Sequence, residues 1–141
     1  FAGILLFAYL KRKDIKNLYS VTLYSALFVG VFQSLALFPG ASRSGTAITA
    51  ALLLGFNLKD ASKFSFMLSI PTIFGALVLL IIEMQSTLEA FNYMNLIIGF
   101  FISMIIAFLT IKLFLNFVER IGMIPFVIYR IILGVFLIIL I

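Results

Sequence analysis

No charged residue stands between Lys63 and Glu83, or between Glu89 and Lys112, and most positions in both stretches are apolar. Runs of this length can cross a bilayer. They are continuous rather than alternating, so they read as spanning helices whose backbone groups bond within their own segment. The same continuity argues against a membrane β-barrel. With 141 residues, 65% of them hydrophobic and 11% charged, the chain has more apolar surface than a soluble core of its size could hide. Its net charge of +5 comes from ten basic residues against five acidic ones, most of the excess near helix ends. That is a topology signal, and no nucleic-acid partner is expected. The chain contains neither Cys nor His. Disulfides, thiolate metal sites and a phosphohistidine of this chain are thereby ruled out, and with the last a histidine-dependent lipid phosphatase mechanism.

The charges order the segments. Residues 1–10 are too short to span and read as the tail of a longer helix, without the flanks of a signal peptide, so an upstream segment is expected. Lys11, Arg12, Lys13 and Lys16 mark a cytoplasmic loop. Residues 18–38 form an apolar arm, milder because of Ser20, Thr22, Ser25, Gln33 and Ser34, which runs into the turn Pro39-Gly40-Ala41-Ser42-Arg43-Ser44-Gly45-Thr46. The arm that follows, residues 47–54, covers only about 12 Å at 1.5 Å per residue. It cannot cross alone, so residues 18–54 are expected to form a re-entrant hairpin that returns to the cytoplasmic side, where Lys59 and Lys63 agree with it. Spans then follow near residues 61–82, 93–118 and 124–141, separated by an acidic outer loop with Glu83 and Glu89 and an inner turn at Glu119 and Arg120. Pro71 should bend the first of these, and Ser62, Ser65 and Ser69 share a face suited to helix contact. The expected fold is thus all-α and integral to the membrane, one membrane domain over residues 1–141 with a re-entrant helical hairpin and about three transmembrane helices.

The polar turn is where chemistry concentrates. An arginine at membrane depth is costly and needs a counter-charge, so Arg43 implies an anionic ligand or a buried acid. Guanidinium presents forked donors that match phosphate oxygens. Gly40 and Gly45 let the backbone approach a ligand, and the start of the returning arm would add free N–H groups. The set suits phosphate or diphosphate. The plainer reading pairs Arg43 with a carboxylate on another helix and leaves Ser42, Ser44 and Thr46 to cap the second arm. Gln33 either reaches the turn or bonds backbone within the hairpin. Arg130, five residues past Pro125, is expected to snorkel to the cytoplasmic surface, and Lys112 and Tyr129 to anchor at the interface. The 17 phenylalanines face lipid or pack between helices.

Residues 30–49, GVFQSLALFPGASRSGTAIT, resemble the second signature of the bacterial undecaprenyl-diphosphate phosphatases, the bacitracin-resistance family, whose pattern is Pro-Gly-x-Ser-Arg-Ser-x-x-Thr. Residues 61–71 (ASKFSFMLSIP) and 121–134 (IGMIPFVIYRIILG) are similar to later stretches of the same family. The resemblance implies hydrolysis of a polyprenyl diphosphate lipid to its monophosphate, recycling the carrier for peptidoglycan synthesis, in a multi-pass protein of the bacterial inner membrane. It implies Arg43, Ser42 and Ser44 as catalytic residues, and Gly40, Ala41, Gly45 and Thr46 as substrate-binding ones, to which the place of Gln33 on the entering arm adds a further candidate. Two departures stand out. Ala47 occupies the place of the family threonine, with Thr46 one residue earlier, about 100° away on a helix. The family is also one of two inverted repeats, and its first, with a glutamate-rich motif and a Ser-Ser-Thr-Gly-His turn, is not in this chain. The resemblance therefore implies half of an inverted-repeat fold, with the missing N-terminal repeat as partner and a homodimer as a further association. That repeat would carry the ligands of a divalent cation, magnesium or calcium. A different class competes: a polyprenyl-phosphate or other anion transporter, or flippase, also uses broken helices at the midplane.

Overall fold

A computed structural model describes residues 1–38, 40–84 and 93–140. These form six α-helices: α1 (Ala2–Lys11), α2 (Leu23–Ser34), α3 (Arg43–Leu53), α4 (Leu58–Met84), α5 (Tyr93–Ile121) and α6 (Ile124–Leu140). No strand occurs among the described residues; a single bridge joins Lys16 and Phe56. The all-helical expectation holds. The expected outer loop falls largely on residues 85–92, Glu89 included, and lies outside the described residues.

Residues 18–38 are not one helix. A 3₁₀ turn, Leu18–Ser20, comes first, and α2 starts only after Thr22, where Thr22 and Ser25 exchange side-chain bonds with each other's backbone N–H in a capping box. A second 3₁₀ turn, Leu35–Leu37, ends the arm. Ser42 then opens α3: its Oγ accepts from the Gly45 N–H at 3.1 Å. At 11 residues α3 is about 16 Å long, roughly half a hydrocarbon core.

The centre of the molecule is α3. Its residues Gly45, Thr46, Ala47, Ile48, Thr49, Ala50, Ala51 and Leu52 are all buried, and it packs against α1, α2 and α4. Small side chains allow that close approach on three sides, and Thr49 removes its hydroxyl from apolar surroundings by donating to the Gly45 carbonyl at 2.6 Å. The serine face of α4 does the same work. Ser62 and Ser65 are buried, Ser62 bonding Leu58 O and Ser65 reaching Ser44 O at 3.3 Å, so this face serves helix packing.

Beyond this cluster the chain is exposed and apolar. Residues 58–83 and 94–121 are long and apolar enough to cross a membrane, with mean hydropathies of 2.4 and 2.5. α4 runs as one 27-residue helix through Pro71. The third expected span, α6, has 17 described residues and rises about 25 Å, less than the other two. The three charged connections gather at one end. Ile15 and Lys16 donate to Gly55 O, Asn57 donates to Lys16 O, and Lys59 pairs with Glu119 at 2.7 Å. The turn at residues 40–42 lies at the opposite end of α3.

Candidate functional site

The turn is built from backbone geometry first. Gly40 has φ +86°, where an L side chain is strained, and its carbonyl is left free to accept from outside the turn. Ala41, half-buried, donates to Phe38 O at 3.1 Å. Pro39 lies outside the described residues. Ser42 Oγ takes the Gly45 N–H, one of the N–H groups at the start of α3 that lack an intrahelical acceptor, and the Thr46 N–H to Ser42 O bond begins the helical ladder. Those of Arg43 and Ser44 have no partner among the described residues. The hydroxyls of Ser42 and Ser44 sit 3.3 Å apart.

Arg43 is half-buried at the first position of α3 and makes no ion pair with a carboxylate among the described residues. It opens on a cavity of about 530 Å³ lined also by Gly30, Gln33, Ser34 and Thr72. Of the three hydroxyls assigned to capping in the plainer reading, Ser42 alone caps; Thr46 Oγ1 donates to Arg43 O at 2.9 Å. Gln33 resolves both of its open alternatives differently. It is buried, lines the Arg43 cavity, and its Nε2 donates not to backbone but to Thr72 Oγ1 on α4 at 2.9 Å.

Arg130 departs from the expected snorkelling. Its Nη2 donates to Gly40 O at 3.2 Å, and its Nη1 lies 2.9 Å from where a Cβ on Gly45 would stand. The guanidinium therefore turns towards the polar turn because an unpaired backbone carbonyl is within reach there, a better partner than apolar surroundings. The candidate residues thus fall on two sides of the N-terminus of α3. Arg43 and Gln33 share one cavity, while Gly45 and Thr46 border a smaller one, about 70 Å³, with Thr49 and Arg130. Arg130 had a signal in the sequence, being the single charge within α6, and such charges inside apolar helices usually mark function. Thr72 had none.

The donors around the turn are hydroxyls, amides and two guanidiniums, and among the described residues no carboxylate reaches either guanidinium. Among the described residues no three His, Cys, Asp or Glu side chains cluster. This set fits an anion and does not fit a divalent cation, which wants oxygen ligands of negative charge.

Residues 1–136 match the family described as bacitracin resistance protein BacA. The chain belongs to the BacA family. It is similar to undecaprenyl-diphosphatases of Saccharophagus degradans (46% identical over 137 residues, 95% of this chain and 50% of that protein) and Chromohalobacter salexigens (51% identical, 85% and 45%). A third, from Sulfurihydrogenibium sp., is 45% identical over 96% of this chain and 56% of its own length. The chain spans about half the length of the curated relatives it matches. The BacA match includes the turn, Gln33, Thr72 and Arg130.

Proposed function

We propose that this chain is half of a bacterial inner-membrane enzyme that hydrolyses undecaprenyl diphosphate to undecaprenyl phosphate and inorganic phosphate. Water attacks the terminal phosphorus, the P–O–P bond breaks, and the bridging oxygen stays on the lipid phosphate. Residues 18–54 form the re-entrant hairpin and the long helices span. The depth of the turn supports this, since α3 holds it about 16 Å from the charged end of the molecule.

Arg43 carries the proposal: an arginine at the N-terminus of a buried helix, with no carboxylate partner among the described residues, facing a cavity of about 530 Å³. Its guanidinium binds the diphosphate and meets charge that grows in the transition state, while the Ser42 and Ser44 hydroxyls and the free N–H groups of Arg43 and Ser44 bind further oxygens. Gly40, Ala41, Gly45 and Thr46 shape the backbone, and Gln33 lines the wall of the cavity. The acids that activate water, and the ligands of a magnesium or calcium ion, belong to the other repeat.

The intact protein in detergent should release phosphate from farnesyl or undecaprenyl diphosphate, and Arg43→Ala should lower kcat/KM by at least about 100-fold, the scale of one removed charge-stabilising donor. Binding or transport of the lipid without hydrolysis would replace this reading with that of a carrier.

A further inference from the structure

We infer that Arg130 is a positioning residue, bracing the backbone on both sides of Ser42-Arg43-Ser44. The inference rests on the reading of that turn as the diphosphate site. Arg130 belongs to α6, ninety positions along the chain from Gly40, and is the single charge of that helix. A cation on so apolar a helix is costly unless something polar receives it. What receives it is the turn itself. Nη2 holds the Gly40 carbonyl at 3.2 Å, just before the tripeptide, and Nη1 sits against Gly45, just after it.

Each glycine has a separate reason to be one. Gly40 adopts φ +86°, and a Cβ on Gly45 would come within 2.9 Å of Arg130 Nη1 and 3.1 Å of Ser42 Cβ. The second contact matters because Ser42 caps α3, so displacement at Gly45 disturbs the cap and the guanidinium together. Arg130 lines cavities with Phe1, Gly40, Gly45 and Thr49, whereas Arg43 opens on the cavity of Gln33 and Thr72. Arg130 thus acts on the ligand through the backbone, on the far side of the turn from Arg43. Guanidinium suits this because its fork spends one nitrogen on the carbonyl and sets the other against the glycine.

The test uses the intact protein with farnesyl diphosphate. Arg130→Met keeps the reach and removes the donors; kcat should fall by about 10- to 100-fold, as a small misplacement of reacting groups does, with KM within about twofold. Arg130→Lys, which can still donate to Gly40 O, should recover at least about half of that loss on a logarithmic scale. A raised KM with unchanged kcat would make Arg130 a ligand contact and overturn the inference, as would a Lys variant no better than Met. Should Arg130→Met fail to assemble, Gly45→Ala reads the same brace, and should cost less in an Arg130→Lys background, where no second nitrogen fills the seat; equal losses overturn it. Amide hydrogen exchange over residues 40–46 needs no turnover and should speed up by about tenfold in Arg130→Lys/Gly45→Ala or Arg130→Met. Unchanged exchange overturns the brace. An inert wild type would sink the diphosphatase reading and leave exchange to decide on Arg130; an active wild type, lost on Arg43→Ala but unaffected by Arg130→Met, would sink the brace alone.

Discussion

α3 and α5 invert what a soluble protein does. α3 carries serine, threonine, glycine and alanine and is buried through residues 45–52, whereas α5 is far more apolar and is exposed over residues 94–113. Water would drive the opposite arrangement. In lipid, apolar surface costs nothing to expose, and small or polar residues gather between helices where backbones approach and hydroxyls find carbonyls. Thr49 to Gly45 O and Ser62 to Leu58 O satisfy their hydroxyls within one helix, and Ser65 to Ser44 O crosses from α4 to α3. The comparison also separates a region that holds the chemistry from one that holds its depth.

The sharpest way to break that contrast is to overfill the buried helix. Ala50→Leu, at a position with no exposure, should destabilise the intact protein by about 1–3 kcal/mol in thermal unfolding in detergent. Phe101→Leu, on the exposed face of α5, should shift the same transition by less than about 1.5 kcal/mol. A shift as large as that of Ala50→Leu would mean that α5 packs on the other repeat rather than on lipid.

Removing the buried partner of a half-exposed polar pair comes next. Gln33→Leu removes the donor to Thr72, whose exposed hydroxyl keeps its bond to Leu68 O, and strips the Arg43 cavity of an amide; it should cost about 0.5–1.5 kcal/mol in unfolding and raise KM for the diphosphate. Unaltered KM would leave Gln33 a packing residue. Thr22→Ala removes half of the capping box of α2 and should cost about 1 kcal/mol, seen in the same transition. Glu119→Gln breaks the exposed pair with Lys59 and should cost no more than about 0.5 kcal/mol, shrinking further in high salt. A larger loss would show that the charged end is held by more than solvent-screened pairs.

Much of this was legible along the chain. Uninterrupted apolar runs announced the helices of residues 58–84 and 93–121, and the basic segment at 11–16 was expected on the same side as Lys59 and Arg120, with which the structure groups it. The turn announced itself by placing Arg43 among hydroxyls and glycines. The start of α2 was not legible in the arm of residues 18–38, because hydropathy does not register a capping box: Thr22 and Ser25 begin the helix only at Leu23. The Gln33–Thr72 pair spans 39 positions, and Arg130 was read from its distance to the helix end when its partner was a carbonyl 90 positions earlier.

The all-helical class and the two long apolar helices were therefore determined by the sequence alone, because hydropathy and charge are sums over neighbouring residues. The burial of α3 between α1, α2 and α4, the division of the site into an Arg43 side and an Arg130 side, and the choice of Gly40 O as a partner were decided only in three dimensions. Each depends on which groups meet after helices far apart in the chain have packed, and a buried donor takes the acceptor that packing brings within reach.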